Sequence, residues 1–378
     1  MRLTLHFLLV PVFAVLLSSC TKASASSSDS FATEAQRFIV SSVSVDQLES
    51  LAKAHNLQVV KRMKLQKSLV IHGSERAIAE LAKEAHGTYE PDGIYSIPDY
   101  SAKVGASNGT TQPIQSKPWG ITTIRSDQAF SRGEGIIVCV SDTGIALSHP
   151  DLKANIVGSF NTISATQSAE DDNGHGTHVA GTIAAIDNAI GVVGVAPAAK
   201  LLAAKGLDRS GSGFASDLAE TIDECRVRGA RVINMSWGSS SPSQTIYDAI
   251  IRAYDSGIIL VAAAGNNSGP VGYPAAFPQV VAVSATDSNE GFATFSSFGV
   301  EVGNSAPGVG ILSTWRRDKY ATLSGTSMAS PHVAGVAALM LSSGAGTSAL
   351  HLLGLDIGLP REKQGSRGRI DAVLSTIH

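Results

Sequence analysis

The 378-residue chain carries 29 Lys and Arg against 32 Asp and Glu, a net charge of −3, and 43% of its residues are apolar while 16% are charged. That balance buries a large core and argues against both a disordered chain and a nucleic-acid partner, which needs a basic surface. The length allows two or three domains.

The first twenty residues read as an address. Met1 and Arg2 lead into an apolar run over residues 3–17, too short to span a bilayer, which ends at Ser18-Ser19-Cys20 and is followed by a Ser-rich stretch. This is the layout of an export signal. Leu17-Ser18-Ser19-Cys20 resembles a bacterial lipobox, which implies a lipidated Cys20 and an envelope lipoprotein held to a membrane by that lipid. An ordinary secretory signal with an incidental cysteine is the alternative. Cys139 and Cys225 remain, and their apolar and helical surroundings read as those of buried thiols.

Residues 31–98 alternate strand, helix, strand, strand, helix, strand, with apolar positions such as Leu48, Leu51 and Ala52 at helical spacing. A small α+β domain is expected there. Residues 99–113, rich in Ser, Gly, Thr and Asn, read as a linker. From 114 to 378, near-continuous aliphatic runs at 136–140, 200–205, 231–236, 258–264 and 280–284 alternate with helical stretches. Such runs predict a mainly parallel sheet covered on both faces, an α/β fold whose ligands collect at the carboxyl ends of strands.

Three segments of the large domain carry chemistry. The first strand ends in Asp142-Thr143-Gly144, where a carboxylate either caps the turn or serves a site. Asp171-Asp172-Asn173-Gly174-His175-Gly176-Thr177-His178 leads into a small, apolar helix. On these residues alone His175 is a metal ligand, a general base or structural, and His178 lies deeper. Gly325-Thr326-Ser327-Met328-Ala329 opens a helix that is apolar almost all round, with Pro331 expected in its first turn. Ser327 then sits at the positive helix end, as a plain N-cap or as a hydroxyl where negative charge develops. A serine needs a base to take its proton and a third group to hold that base, and an acid, a histidine and a serine occur here in the order Asp, His, Ser.

In these three blocks the chain resembles the subtilisin family (subtilases) of serine proteases, and the likeness runs from about Gln115 to Asp371. The resemblance implies a three-layer subtilisin-like domain preceded by a ferredoxin-like propeptide, an inhibitor of its own enzyme. It implies an exported endopeptidase made as a zymogen, acting on proteins or peptides, with Ser327 as nucleophile, His175 as base and Asp142 orienting it. Asn266, in Ala262-Ala263-Ala264-Gly265-Asn266, corresponds to the oxyanion donor. Ser236-Trp237-Gly238 and Ala264-Gly265 correspond to substrate-binding positions that pair with an extended peptide, and Trp237 stands where many relatives carry a leucine-sized residue. Gln115, Asp151, Ile186, Asn188, Ile190 and Val192 match a calcium loop, whose amide, carboxylate and carbonyl oxygens suit a hard cation. Two other readings are a silent peptide-binding lipoprotein and a metallohydrolase built on His175 and His178.

Overall fold

The computed structural model describes residues 36–98, 101–104 and 112–377. The export signal, Cys20 and the rest of the expected linker lie outside the described residues. Among the described residues no helix is long and apolar enough to cross a membrane.

The small domain runs β1 (Gln36–Ser41), α1 (Val45–Ala54), β2 (Gln58–Arg62), β3 (Ser68–Gly73), α2 (Glu75–Glu84) and β4 (Thr88–Pro91). Its strands pair antiparallel in the order β2-β3-β1-β4, a ferredoxin-like sheet. Serines start both helices: Ser44 and Ser74 accept the backbone N–H groups of Gln47 and Ala77, which have no partner inside the helix. Alternation along the strands decides which face meets what. Phe38 and Val40 of β1, with Leu69 and Ile71 of β3, pack under Leu48, Ile78 and Leu81 of the two helices. Ile39 and Val70 point the other way, into a cluster supplied by the large domain.

Beyond β4 the chain forms β5 (Ile94–Ser96) and β6 (Ser101–Val104). The expected linker is therefore not wholly irregular, because residues 101–104 have found a strand partner. In the large domain come α3 (Trp119–Thr123), β7 (Ile137–Asp142), β8 (Ile156–Asn161), α4 (His175–Ala184), β9 (Lys200–Lys205), β10 (Ser212–Phe214), α5 (Ala215–Val227), β11 (Val232–Met235) and α6 (Gln244–Asp255). They are followed by β12 (Ile259–Ala263), β13 (Val280–Thr286), β14 (Val302–Pro307), β15 (Ile311–Trp315), β16 (Lys319–Ser324), α7 (Thr326–Ser343), β17 (Gly354–Leu355), α8 (Arg361–Gln364), β18 (Arg369–Ile370) and α9 (Ala372–Thr376).

The central sheet has the order β17-β18-β14-β13-β12-β11-β7-β9-β8 and is parallel throughout except for the β17–β18 pair. Val138 and Val140 of β7 face the cluster around α4 and α7, while Cys139 faces that around α5 and α6. Both faces are covered, which is why these strands are aliphatic without alternation. The cysteines correct the sequence expectation. Cys139 and Cys225 are not free thiols but a disulfide that fastens β7 to α5. Sequence separation hid it, since strand and helix meet only through the layered fold.

Candidate functional site

The site lies at the carboxyl ends of β7, β11 and β12, where open α/β sheets gather ligands. Asp142 ends β7, and His175 opens α4. His175 Nδ1 lies 2.8 Å from Asp142 Oδ1, with both side chains fully buried. Thr143 N donates to the same carboxylate oxygen at 2.7 Å. Helix α4 comes this close because its second residue is glycine: a Cβ on Gly176 would lie 2.1 Å from Gly144 O and 3.1 Å from Asp142. Gly174, at φ 120°, backs onto the Trp315 ring in the same way.

The loop before His175 is wound around Asp171, a residue the sequence reading did not single out. Its buried carboxylate accepts Thr143 Oγ1, the N–H groups of Asn173, Gly174 and Thr177, and Thr177 Oγ1. All five donors are neutral, and burial pushes this carboxyl above its usual pKa range. Lys205, also missed, is buried at the end of β9 and joins Thr143 O at 2.7 Å to Asp172 at 2.7 Å. Only the parallel register that sets Asp142 beside Lys205 makes these residues neighbours.

Ser327 is the second residue of α7. Pro331 lies in the second turn of that helix rather than the first, and the correction has a consequence. A proline there supplies no N–H to the carbonyl four residues back, that of Ser327. Ser236 Oγ, at the end of β11, donates to Ser327 O instead, at 3.0 Å. The Ser327 hydroxyl donates in turn to Ser236 O at 3.2 Å. The next residue, Trp237, is fully buried and donates Nε1 to Ser141 O, beside Asp142, at 3.0 Å. One strand end thus ties the serine to the turn that carries the carboxylate. Asn266 follows β12. Its side-chain oxygen accepts Thr326 N at 2.9 Å and Thr326 Oγ1 at 2.8 Å, which turns the amide nitrogen away from Thr326.

His178 lies one turn further along α4, with Nε2 within 3.1 Å of the carbonyls of Ile311 and Ala321. Burial lowers its pKa to about 3, and that of His332, on the same apolar layer, to about 4. His178 is held by main-chain carbonyls rather than aimed with His175 at a common point. Among the described residues no group of three or more His, Cys, Asp and Glu could hold a metal.

A cleft of about 370 Å³ is lined by Gly238, Ala264, Gly265 and Asn266 and also by Ser96 and Pro98 of the tail of the small domain. Gly238 exchanges two backbone bonds with Ser96, of 3.1 and 2.8 Å, and Ile97 N donates to Gly211 O at 2.9 Å. β5 pairs antiparallel with β10 on the other side. Continuing the Ser96–Gly238 register by two residues sets Pro98 opposite Ser236, whose carbonyl takes the Ser327 hydroxyl. Tyr95, 2% exposed, meets Trp237 edge-on at 5.6 Å and donates its hydroxyl to Ser241 O at 2.9 Å.

Two further carboxylates of the small domain reach the large one. Glu90 accepts Ser243 Oγ and the N–H groups of Gln244 and Thr245 at the start of α6. Asp92 accepts Ser216 N and Oγ at the start of α5. Asp92 supplies the cap that α5 lacks, and Glu90 takes N–H groups of α6 that its own cap, Ser243 on Ile246 N, does not reach.

The loop 186–192 wraps Asp151, a buried carboxylate. Its partners are Asn188 Nδ2 at 2.8 Å, Val192 N at 3.0 Å and Tyr320 OH at 3.4 Å, all neutral, and burial raises its pKa. Gln115 reaches the same loop, near Ile186 O and Asp187. A carboxylate buried with no basic partner among the described residues, in a loop that offers the side-chain amides of Gln115 and Asn188, fits a hard cation once those amides turn their oxygens inward. Asp187 is drawn aside to Arg132 at 2.6 Å.

Known proteins agree with this architecture. The model of the subtilase family matches residues 133–350. A thermostable alkaline protease of Halalkalibacterium halodurans is 50% identical over 248 residues, 65% of this chain and 68% of that protein. Subtilisin Savinase of Lederbergia lenta is 48% identical over 230 residues, 60% of this chain and 84% of its own. The minor extracellular protease Epr of Bacillus subtilis is 40% identical over 279 residues, 72% of this chain and 43% of that protein. With a parallel sheet that carries Asp142, His175 and Ser327 at one edge and relatives of this similarity, the chain belongs to the subtilase family and is a subtilisin-like serine endopeptidase.

Proposed function

We propose that this endopeptidase works through Ser327, His175 and Asp142 and is made as a zymogen inhibited by its own small domain. The observation that carries the reading is the fully buried 2.8 Å contact from His175 Nδ1 to Asp142, since a donating Nδ1–H leaves Nε2 as the basic nitrogen. His175 Nε2 takes the proton as Ser327 Oγ adds to the substrate carbonyl, and Asp142 stabilises the imidazolium. The amide of Asn266 and the N–H of Ser327, at the positive end of α7, hold the oxyanion. His175 then hands the proton to the leaving amine, and water repeats the sequence on the acyl-enzyme.

Substrates bind as an added strand between Gly211 and Gly238, against Ala264 and Gly265, the track that residues 94–98 follow. That register makes Pro98 the acyl residue of self-cleavage. Proline has no N–H to offer Ser236 O, which keeps the Ser327 hydroxyl instead, and the tail is held more readily than it is cut. A calcium ion held by Gln115, Asp151, Asn188 and the carbonyls of Ile186, Ile190 and Val192 would brace the loop behind α4. If Cys20 carries a lipid, cutting after Pro98 leaves the lipid on the small domain and frees the large one.

Intact-mass analysis tests the scheme. Wild type yields a large fragment beginning at Asp99, and Ser327→Ala remains full length and loses at least a thousandfold in peptide turnover. A full-length wild type, or an unaltered rate in Ser327→Ala, refutes it.

A further inference from the structure

We propose that Lys205, at the end of β9, is a positioning residue for the reaction, whose ammonium keeps the turn that carries Asp142 and the loop that carries His175 in one fixed arrangement. The proposal rests on the reading of Asp142, His175 and Ser327 as the working triad and goes beyond it, since Lys205 acts on the triad only through Thr143 and Asp172.

A lysine ammonium has three N–H groups, and this one uses all of them. They go to Thr143 O at 2.7 Å, Asp172 Oδ1 at 2.7 Å and Leu207 O at 3.1 Å. Lys205 is 5% exposed, and a buried charge persists only where it is paired and hydrogen-bonded. With every donor taken, the ammonium has one favourable place to sit, so the groups around it are fixed relative to one another.

Those groups belong to different elements. Thr143 lies in the turn after β7, and the carbonyl before it, Asp142 O, takes the N–H groups of Gly206 and Leu207 at 3.0 and 3.1 Å. The end of β9 thus occupies both carbonyls of the Asp142–Thr143 pair. Asp172 stands three residues before His175. The residue after it, Asn173, donates Nδ2 to Arg209 O at 3.0 Å, and its Oδ1 accepts His175 N at 3.0 Å. Arg316, in the turn between β15 and β16, donates to Asp172 O. Asp171 also ties this loop to Thr143, but Asp171 belongs to the loop and moves with it. Lys205 is rooted in the central sheet, where it stands opposite Asp142 in the parallel register.

The two partners of the 2.8 Å contact differ in their support. Asp142 ends a buried strand, whereas His175 is the first residue of α4 and follows a loop. A loop released from β9 leaves the peptide track between Gly211 and Gly238 intact but lets the imidazole drift from the line of proton transfer. The loss therefore falls on kcat rather than on KM.

The test uses the processed protein, with active sites counted by a serine-directed phosphonate so that unfolded molecules do not enter the rate. Lys205→Met keeps the apolar stem and removes the ammonium. Its kcat per site is expected to fall about 10–10²-fold, with KM within about twofold of wild type. Asp172→Ala, at a side chain 52% exposed, cuts only the link to the His175 loop and is expected to lower kcat about three- to tenfold. Asp172→Asn keeps an oxygen for the ammonium and recovers most of that loss. Lys205→Met and Asp172→Ala together lose no more than Lys205→Met alone, because both cut the same link. An unchanged kcat per site in Asp172→Ala overturns the proposal, even where Lys205→Met fails to fold, and so do losses that multiply in the double variant. A Ser327→Ala variant that turns over at the wild-type rate overturns the triad reading beneath it instead.

Discussion

The carboxyl edge of the central sheet and the face between the two domains are held by opposite means. At the sheet edge Asp142, His175 and Ser327 are fully buried, fixed by neutral donors and by two helices with apolar surroundings on every side. Between the domains, by contrast, Lys61 meets Asp217 and Glu220 at 2.6 Å, Arg37 reaches Ser216 Oγ at 3.1 Å and lies over the Phe214 ring, and Glu90 caps α6. Charges separate into water at little net cost, because solvation replaces what pairing gave, whereas exposing the surroundings of α4 and α7 has no such compensation. The first region resists separation, and the contacts of the second part at lower cost.

Acid breaks the first region most strongly. His178 and His332 are buried neutral, with pKa values lowered to about 3 and about 4, while in the unfolded chain each titrates near 6.5. The unfolded state therefore binds more protons below that pH. The stability these groups contribute is complete above about 6.5 and is lost as pH falls toward 4, at about 1.4 kcal/mol per pH unit for each histidine. Denaturant midpoints between pH 7 and 4 should fall with an uptake of about two protons, and no proton uptake contradicts the assignment. The joint behaves differently. Burial raises the pKa of Asp92, so its contribution is lost as pH rises through the raised value and is retained in acid.

Asn266→Leu tests the sheet edge without unfolding it. It should lower kcat by about 10²–10³, the cost of one oxyanion donor taken from subtilisin itself rather than from this geometry. KM should move little, the thermal midpoint should fall because the buried Thr326 N and Oγ1 lose their acceptor, and a loss confined to KM would mean that Asn266 only binds substrate.

How far these two regions were legible in the sequence differs for a physical reason. The sheet strands, the helix start at His175 and the acid, imidazole and alcohol announce themselves locally, in aliphatic runs and Gly-flanked polar blocks. Asp171 and Lys205 were not visible, because each acts through partners that only the parallel register assembles. The Cys139–Cys225 bond was missed on the same ground, and Pro331 was set one turn too early because helix starts are fixed by capping geometry rather than composition. Strand pairing by residues 101–104 also had no local sign, since Ser-Ala-Lys-Val owes its conformation to the edge it found.

Asp151 and Asp92 are both buried carboxylates of raised pKa, but Asp92 has Arg37 beside it and Asp151 has no basic partner among the described residues. Without a cation, the contribution of Asp151 is complete below the ordinary carboxylate range and is lost as pH rises through its raised value. With calcium bound, the charged form is favoured and the sign reverses. A chelator should lower the thermal midpoint by an amount that grows from pH 4 to 6, and calcium in hundredfold excess over its Kd should restore about 2.7 kcal/mol. A chelator effect that is absent at every pH removes the cation from that loop.

The smallest effect belongs to the joint. Glu90 accepts three donors at the start of α6, of 3.1, 2.9 and 2.8 Å, where the helix dipole favours negative charge. Glu90→Gln keeps an acceptor but loses the charge, and a cap of this kind is worth about 1 kcal/mol, or roughly fivefold in affinity. Asp92→Asn acts on α5, a separate helix, so the two losses should nearly multiply. In the processed protein both variants should shorten the lag before full activity appears, and added salt should shorten it further by screening Lys61 from Asp217 and Glu220. Substrate turnover after the lag should be unchanged, because neither carboxylate lines the cleft that holds Asn266. A lag indifferent to both substitutions and to salt would mean that the small domain is held by the apolar contacts of Ile39, Val70 and Tyr95 instead, and that the joint is built like the sheet edge after all.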